Sequence, residues 1–194
     1  MYREKVIKKL IDNKDVLDIG STGQTDTYSL WSFYDECNPK TLTGIDIEEL
    51  TNENKLRFNL AKINLDKRII VGDMETYDFN ETFDVIIAGD IIEHVSNQGL
   101  FLNNIKKHLR NNGKLIITTP NAKWLTVFLK TNPTHTLWHD KNTLNRILSS
   151  NGFMIDKFFY YYGNKSNYSW FLRPLVLRQS ILVIAQKRNC STYE

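Results

Sequence analysis

Five short runs rich in Ile, Val and Leu, each closed by Gly, Asp or Pro, constrain this chain more than any other feature. They span Lys14–Gly20, Thr41–Asp46, Arg68–Asp73, Phe83–Gly89 and Lys114–Pro120. Runs of this length and composition read as strands buried on both faces, the habit of parallel sheets. Helical patterns lie between them. Leu56, Leu60 and Ile63 share one face, as do Leu102, Ile105 and Leu109. The second of these helices is predicted to stop at Asn111-Asn112-Gly113, a glycine cap. Asp140 is placed to cap a further helix carrying Leu144, Ile147 and Leu148, which should end at Asn151-Gly152. The last two apolar runs, Phe153–Tyr160 and Ser180–Lys187, have no clear helical pattern between them, so they are expected to pair antiparallel. Strands alternating with helices make a doubly wound α/β sheet.

With 194 residues, the chain is expected to form one domain, residues 1–194. Cys37 and Cys190 lie far apart, without the spacing of a zinc site or a disulfide framework. The charged start at Met1–Leu10 lacks the apolar core of a signal peptide, and no run approaches the ~20 apolar residues of a membrane span. A cytoplasmic protein without a membrane span is the expectation. A net charge of +3 does not by itself call for a nucleic-acid partner.

Doubly wound sheets bind ligands at the carboxyl ends of their strands. Polar residues collect at those predicted ends: Asp18, Gly20, Asp46, Asp73, Asp90 and Asn121. Gly20 and Gly23 let backbone N–H groups approach a ligand closely, although G-x-x-G alone fits an ordinary βα turn equally well. Asp46 is placed to accept both hydroxyls of a ribose, and Asp73 an adenine amino group, with Ile47 and Met74 as apolar faces for the base. The dinucleotide fingerprint G-x-G-x-x-G is missing, because Thr22 and Thr25 stand where its second and third glycines would be. That disfavours NAD and FAD. Three acids and few cations suit a cofactor with a cationic centre and no phosphates, a description that S-adenosylmethionine meets.

The stretches Val16–Gly23, Gly44–Ile47, Gly72–Met74, Phe83–Val95 and Thr118–Asn121 resemble, in order, the motifs of class I S-adenosylmethionine-dependent methyltransferases. The likeness runs from about Lys14 to Lys187. It is nearest to the branch holding the ubiquinone-biosynthesis O-methyltransferases and many enzymes of glycan and natural-product clusters, which Asn132–Leu144 and Ser150–Phe153 also resemble. The resemblance implies a Rossmann-like seven-stranded sheet, mostly parallel with an antiparallel C-terminal strand. It also implies cofactor contacts from Gly20, Asp46 and Asp73. With the loop and strand-end residues, the expected cofactor set is Asp18, Gly20, Gly23, Asp46, Ile47, Asp73, Met74, Gly89 and Asp90. One departure is plain: the family loop is usually D-x-G-x-G-x-G, whereas Thr22 and Gln24 replace its second and third glycines, with Gly23 offset.

Asp90, Glu93 and His94 stand at i, i+3 and i+4, and would share one face if a helix begins there. Three readings stay open. Glu93 and His94 cap a helix start, or a histidine takes the acceptor's proton, with His94 first and His135 second. In the third, Asp90, Glu93, His94 and His135 hold a divalent metal such as Mg²⁺, Mn²⁺ or iron. That set is similar to the E-x-x-E-H sites of small-RNA 2′-O-methyltransferases, with Asp90 in place of the first Glu. His139 is expected only to neighbour the site. Acceptor recognition falls to the aromatic stretches Gln24–Cys37 and Tyr160–Arg178. The expected reaction is methyl transfer to a hydroxyl of a small polar molecule, such as a sugar or nucleotide-linked sugar. The rivals are an RNA 2′-O-methyltransferase and a binding protein without catalysis. A homodimer remains open.

Overall fold

The computed structural model describes residues 2–21, 34, 36–52, 66–124, 132–161 and 179–188. In chain order the elements are helix α1 (Tyr2–Ile11), strands β1 (Asp15–Ile19), β2 (Thr41–Asp46), β3 (Asp66–Val71) and β4 (Phe83–Gly89), helix α2 (Gln98–His108), strand β5 (Leu109–Pro120), helix α3 (Lys141–Ser150), and strands β6 (Phe153–Tyr161) and β7 (Ser180–Lys187). The strands form one seven-stranded sheet in the order β3-β2-β1-β4-β5-β7-β6. β1 lies parallel between β2 and β4, and β5 continues the parallel set. β7 runs antiparallel to both β5 and β6, the expected C-terminal pairing. Strand order reverses between β1 and β4, which opens a crevice at their carboxyl ends.

Alternation of side chains divides the core into two layers. Leu17, Ile19, Ile86 and Ile117 face α2 and α3, packing on Phe101, Leu102, Ile105, Leu144 and Leu148. Val16, Val85, Ile87 and Ile116 face the other way, onto Ile7 and Ile11 of α1 and onto Tyr34 and Cys37. Asp18 follows Val16 by two residues, so its carboxyl projects toward the α1 side. No helix among the described residues is long and apolar enough to cross a membrane.

The structure corrects several boundaries. α2 ends at His108, not at Asn111-Asn112-Gly113, and Leu109 is already extended (φ −82°, ψ 133°). Leu109 is fully buried opposite Phe83, and Arg110 reaches Asp15 at 2.7 Å and Asp84 at 2.8 Å. Those tertiary contacts outweigh the local glycine stop. The left-handed residue in that stretch is Asn112 (φ 65°). β3 runs from Asp66 to Val71 and is exposed or half-buried throughout, so burial on both faces holds for the inner strands and not for this edge. The helix over Lys141–Ser150 forms as expected. Asp140 accepts from the Thr143 N–H at 2.8 Å, Thr143 returns a bond to the cap, and Gly152 takes φ +83° just beyond the end. The helical pattern of Leu56, Leu60 and Ile63 lies outside the described residues.

Candidate functional site

The loop after β1 is built around Gly20. Its φ of +76° belongs to the left-handed region, its N–H donates to the Ile45 carbonyl at 2.8 Å, and a Cβ there would strike the Ile91 side chain. The Ile91 side chain thus packs directly on this glycine, beside the crevice between β1 and β4. Gly23 and most of the expected acceptor stretches, Gln24–Cys37 and Tyr160–Arg178, lie outside the described residues.

The acids stand at the strand ends as anticipated, in three different environments. Asp46 accepts the Glu48 N–H, and Asp73 accepts the Glu75 N–H at 2.8 Å. The loop after Asp73 is tied to α2: Asn104 donates to the carbonyls of Met74 and Tyr77, and Glu75 accepts the Ser96 and Asn97 N–H groups. Ile47 is 71% exposed beside Asp46, whereas Met74 is packed in the core. Asp18 is buried, and its Oδ2 has no hydrogen-bond partner among the described residues. Burial pushes its carboxyl up to about 7, against the pull of Arg3 and of the neighbouring Tyr34 hydroxyl.

Arg3 was not among the expected residues. It sits one turn before Ile7, on the stripe by which α1 packs on the sheet, and its guanidinium lies over Gly89, where an added Cβ would come within 2.8 Å of Nη2. It pairs with Asp90 at 3.1 Å. Burial works against its charge, but Tyr161, Asp90 and Asp18 together outweigh it and keep the guanidinium protonated. The sequence does carry a signal: a cation in the position of an apolar stripe, four residues before a core Ile.

No helix begins at Asp90. That residue is itself left-handed (φ 56°), with its N–H bonded to the Thr118 carbonyl, and residues 92–94 form a turn closed by His94 N–H to Ile91 O at 2.8 Å. α2 starts only at Gln98, capped by the Asn97 side chain. The turn and the loop after Asn132 are laced together. Thr136 donates its N–H and its hydroxyl to the Glu93 carbonyl at 2.8 and 3.0 Å, and His94 Nδ1 lies 3.1 Å from Thr134 O. This lacing brings Glu93, His94 and His135 together, with ligand atoms within 4.8 Å of one another, and sets the two imidazoles edge to face with centroids 4.7 Å apart. Asp90 is absent from that group and faces Arg3 instead.

The protons in this cluster follow from its partners. Glu93 is buried; one oxygen accepts the Thr119 hydroxyl at 2.9 Å and the other has no partner among the described residues. Burial, then the neighbouring Asp90, raises its carboxyl to about 8. Because Thr134 O can only accept, neutral His94 carries its proton on Nδ1, leaving the Nε2 lone pair for other work. His135 differs. Asn132 Oδ1 takes two bonds from Thr134, so the amide nitrogen is the group facing His135 Nε2, at 3.2 Å, and that lone pair is already engaged. Burial and then His94 lower the basicity of His135.

Comparison with known proteins agrees with this architecture. Residues 10–172 match the family model described as a methyltransferase domain. A ubiquinone biosynthesis O-methyltransferase of Rhodopseudomonas palustris is 30% identical over 93 residues, covering 45% of this chain and 36% of that protein. Its counterpart in Bartonella tribocorum is 29% identical over 129 residues, covering 63% and 47%. The chain therefore spans less than half the length of these relatives. Among solved structures, the N-methyltransferase NodS from Bradyrhizobium japonicum, in complex with S-adenosyl-L-homocysteine, superposes with a TM-score of 0.67 at 14% identity over 97% of this chain and 87% of that one. The YcgJ protein of Bacillus subtilis gives 0.71 at 14% identity over 97% and 99%. At such identities the likeness concerns the fold.

Proposed function

The chain belongs to the methyltransferase domain family, in its class I S-adenosylmethionine-dependent group, and on that premise we propose that it transfers a methyl group to a hydroxyl of a small polar acceptor. The observation that supports this most is the convergence of Glu93, His94 and His135 beside a crevice whose strand ends carry Asp18, Asp46 and Asp73. The side chains fit the cofactor. Arg3 offers a guanidinium for a carboxylate, and the buried Asp18, lacking a partner on Oδ2, offers an oxygen to an ammonium. Asp46 would hold the ribose diol and Asp73 the adenine amino group, and exposed Ile47 would offer an apolar face to the base. Bound there, S-adenosylmethionine supplies a methyl activated by its sulfonium.

The protein's own share is to hold the acceptor in line, to exclude water, and to accept a proton. His94 is the base in this reading, since its Nε2 lone pair has no partner among the described residues while that of His135 is held by Asn132. His135 and exposed Trp138, with ring centroids 6.3 Å apart, form a wall on which an acceptor ring can lie.

The same cluster supports a metal-assisted variant. One carboxylate and two imidazoles suit Mn²⁺ or iron better than Mg²⁺. Glu93 as the ionised carboxylate, with His94 and His135, would hold such a cation, which would supply Lewis-acid activation of the acceptor hydroxyl; His135 would then exchange its Asn132 bond for the cation. Transfer of labelled methyl from S-adenosylmethionine to a panel of sugars, nucleotide sugars and catechols, with and without EDTA, tests both variants. Transfer that persists in EDTA removes the metal and leaves proton removal to a side chain, His94 in this reading. Transfer lost in EDTA and restored by Mn²⁺ favours the metal. No transfer to any acceptor, with the cofactor bound, leaves a binding protein and overturns the enzymatic reading.

A further inference from the structure

We propose that Gln98 and His139 act as positioning residues, clamping the turn that carries Glu93 and His94 to the loop that carries His135. This rests on the reading of those three residues as the reacting cluster. Both clamp residues are buried. The Gln98 amide nitrogen lies 3.0 Å from the Ile92 carbonyl and 2.6 Å from His139 Nε2. The carbonyl can only accept, so it fixes which end of the amide faces it; the nitrogen spends one hydrogen there and the other on the imidazole. His139 Nε2 must then be an acceptor, and its proton sits on Nδ1.

The histidine is anchored by its backbone as well. Its carbonyl accepts the Ala122 N–H at 2.8 Å, and it forms a bridge with Asn121 just beyond the end of β5. The next residue, Asp140, caps α3 and pairs with Lys123 at 2.7 Å. One side chain therefore joins the first turn of α2, the turn after β4, and the base of the 132–139 loop. Neither residue belongs to the reacting cluster. Their effect is on where His94 and His135 stand.

Long-range proton–nitrogen spectra of the ¹⁵N-histidine-labelled full chain test this, because the chain holds only four histidines, His94, His108, His135 and His139. In the unaltered protein His139 should show the Nδ1–H form. In Gln98→Leu the His139 signals should change and those of His94 and His135 should shift or broaden, while His108, bonded to Glu81 O at the far end of α2, stays in place. If Gln98→Leu does not fold, Gln98→Glu keeps the size but sets a carboxylate against Ile92 O; it should transfer the His139 proton to Nε2 and move the same two partners. An Nε2–H His139 in the unaltered protein, or unmoved His94 and His135 signals in the folded variant, overturns the proposal. No cofactor or acceptor is needed. Failure of methyl transfer leaves these spectra as they are, and unmoved spectra leave the transfer assay as it is.

Discussion

Replacing Asp18 by Asn should stabilise the free protein and weaken its hold on the cofactor. In the folded chain burial raises the Asp18 carboxyl from the ordinary 3.8 to about 7. Below about pH 4 the side chain is neutral in both folded and unfolded chains, and Asn mimics it well. As pH rises from about 4 to 7, the unfolded chain releases this proton and the folded one keeps it, so the wild type loses stability relative to Asp18→Asn. Above about 7 the gap levels off. Three pH units at ~1.36 kcal/mol each set its ceiling on the order of 4 kcal/mol. Urea unfolding of both proteins from pH 4.5 to 8.5 measures it. The difference between the two curves isolates Asp18, because Glu93 and the histidines titrate in both. A variant less stable than wild type at pH 8 would refute the reasoning. In that case the carboxylate is a structural partner of Arg3, not a buried charge waiting for a cationic ligand.

Other substitutions probe separate parts of the site. Arg3→Ala should cost about 1.5–3 kcal/mol of affinity for S-adenosylhomocysteine, the worth of a charged hydrogen bond, yet leave 5′-methylthioadenosine unaffected because it lacks the amino-acid group. Equal losses for both ligands in calorimetry would remove Arg3 from that role. His94→Ala should lower kcat by about 10²–10⁴ with cofactor affinity unchanged, and a normal rate would pass the base to another group. Gly20→Ala should destabilise the fold by at least about 1–3 kcal/mol in urea, since φ +76° is left-handed and the new methyl meets Ile91. Asp140→Ala should cost about 1–2 kcal/mol, as it removes a capping box and the Lys123 pair together.

Much of this was legible in the sequence wherever local chemistry decides the outcome. β2 and β4 fall on their predicted residues because apolar runs with Asp or Gly ends set strand limits directly, and the apolar run of β7 marks that strand by itself. The α3 cap at Asp140 was readable for the same reason. Leu109 was misread because its partner, Phe83, is distant in sequence, and only tertiary pairing pulls it out of the helix. The Asp90–His94 segment has helical spacing, but the pairing of Asp90 with Arg3, the bond of His94 to the Thr134 carbonyl and the bonds from Thr136 make it a turn. Arg3 stands on the apolar stripe of α1, four residues before Ile7, but among the neighbouring lysines that signal is easily read as one more solvated charge. Gln98 and His139 carried no sequence signal of partnership, since 41 residues separate them.

The most direct check of the central claim is thermal unfolding of the full chain with S-adenosylhomocysteine, and separately with NAD. At 100 times Kd a bound ligand adds about 2.7 kcal/mol, which for a chain of this size raises Tm by about 5–10 °C. The account predicts that rise with S-adenosylhomocysteine and none with NAD. An unchanged Tm at saturating S-adenosylhomocysteine, or a rise with NAD alone, would contradict it.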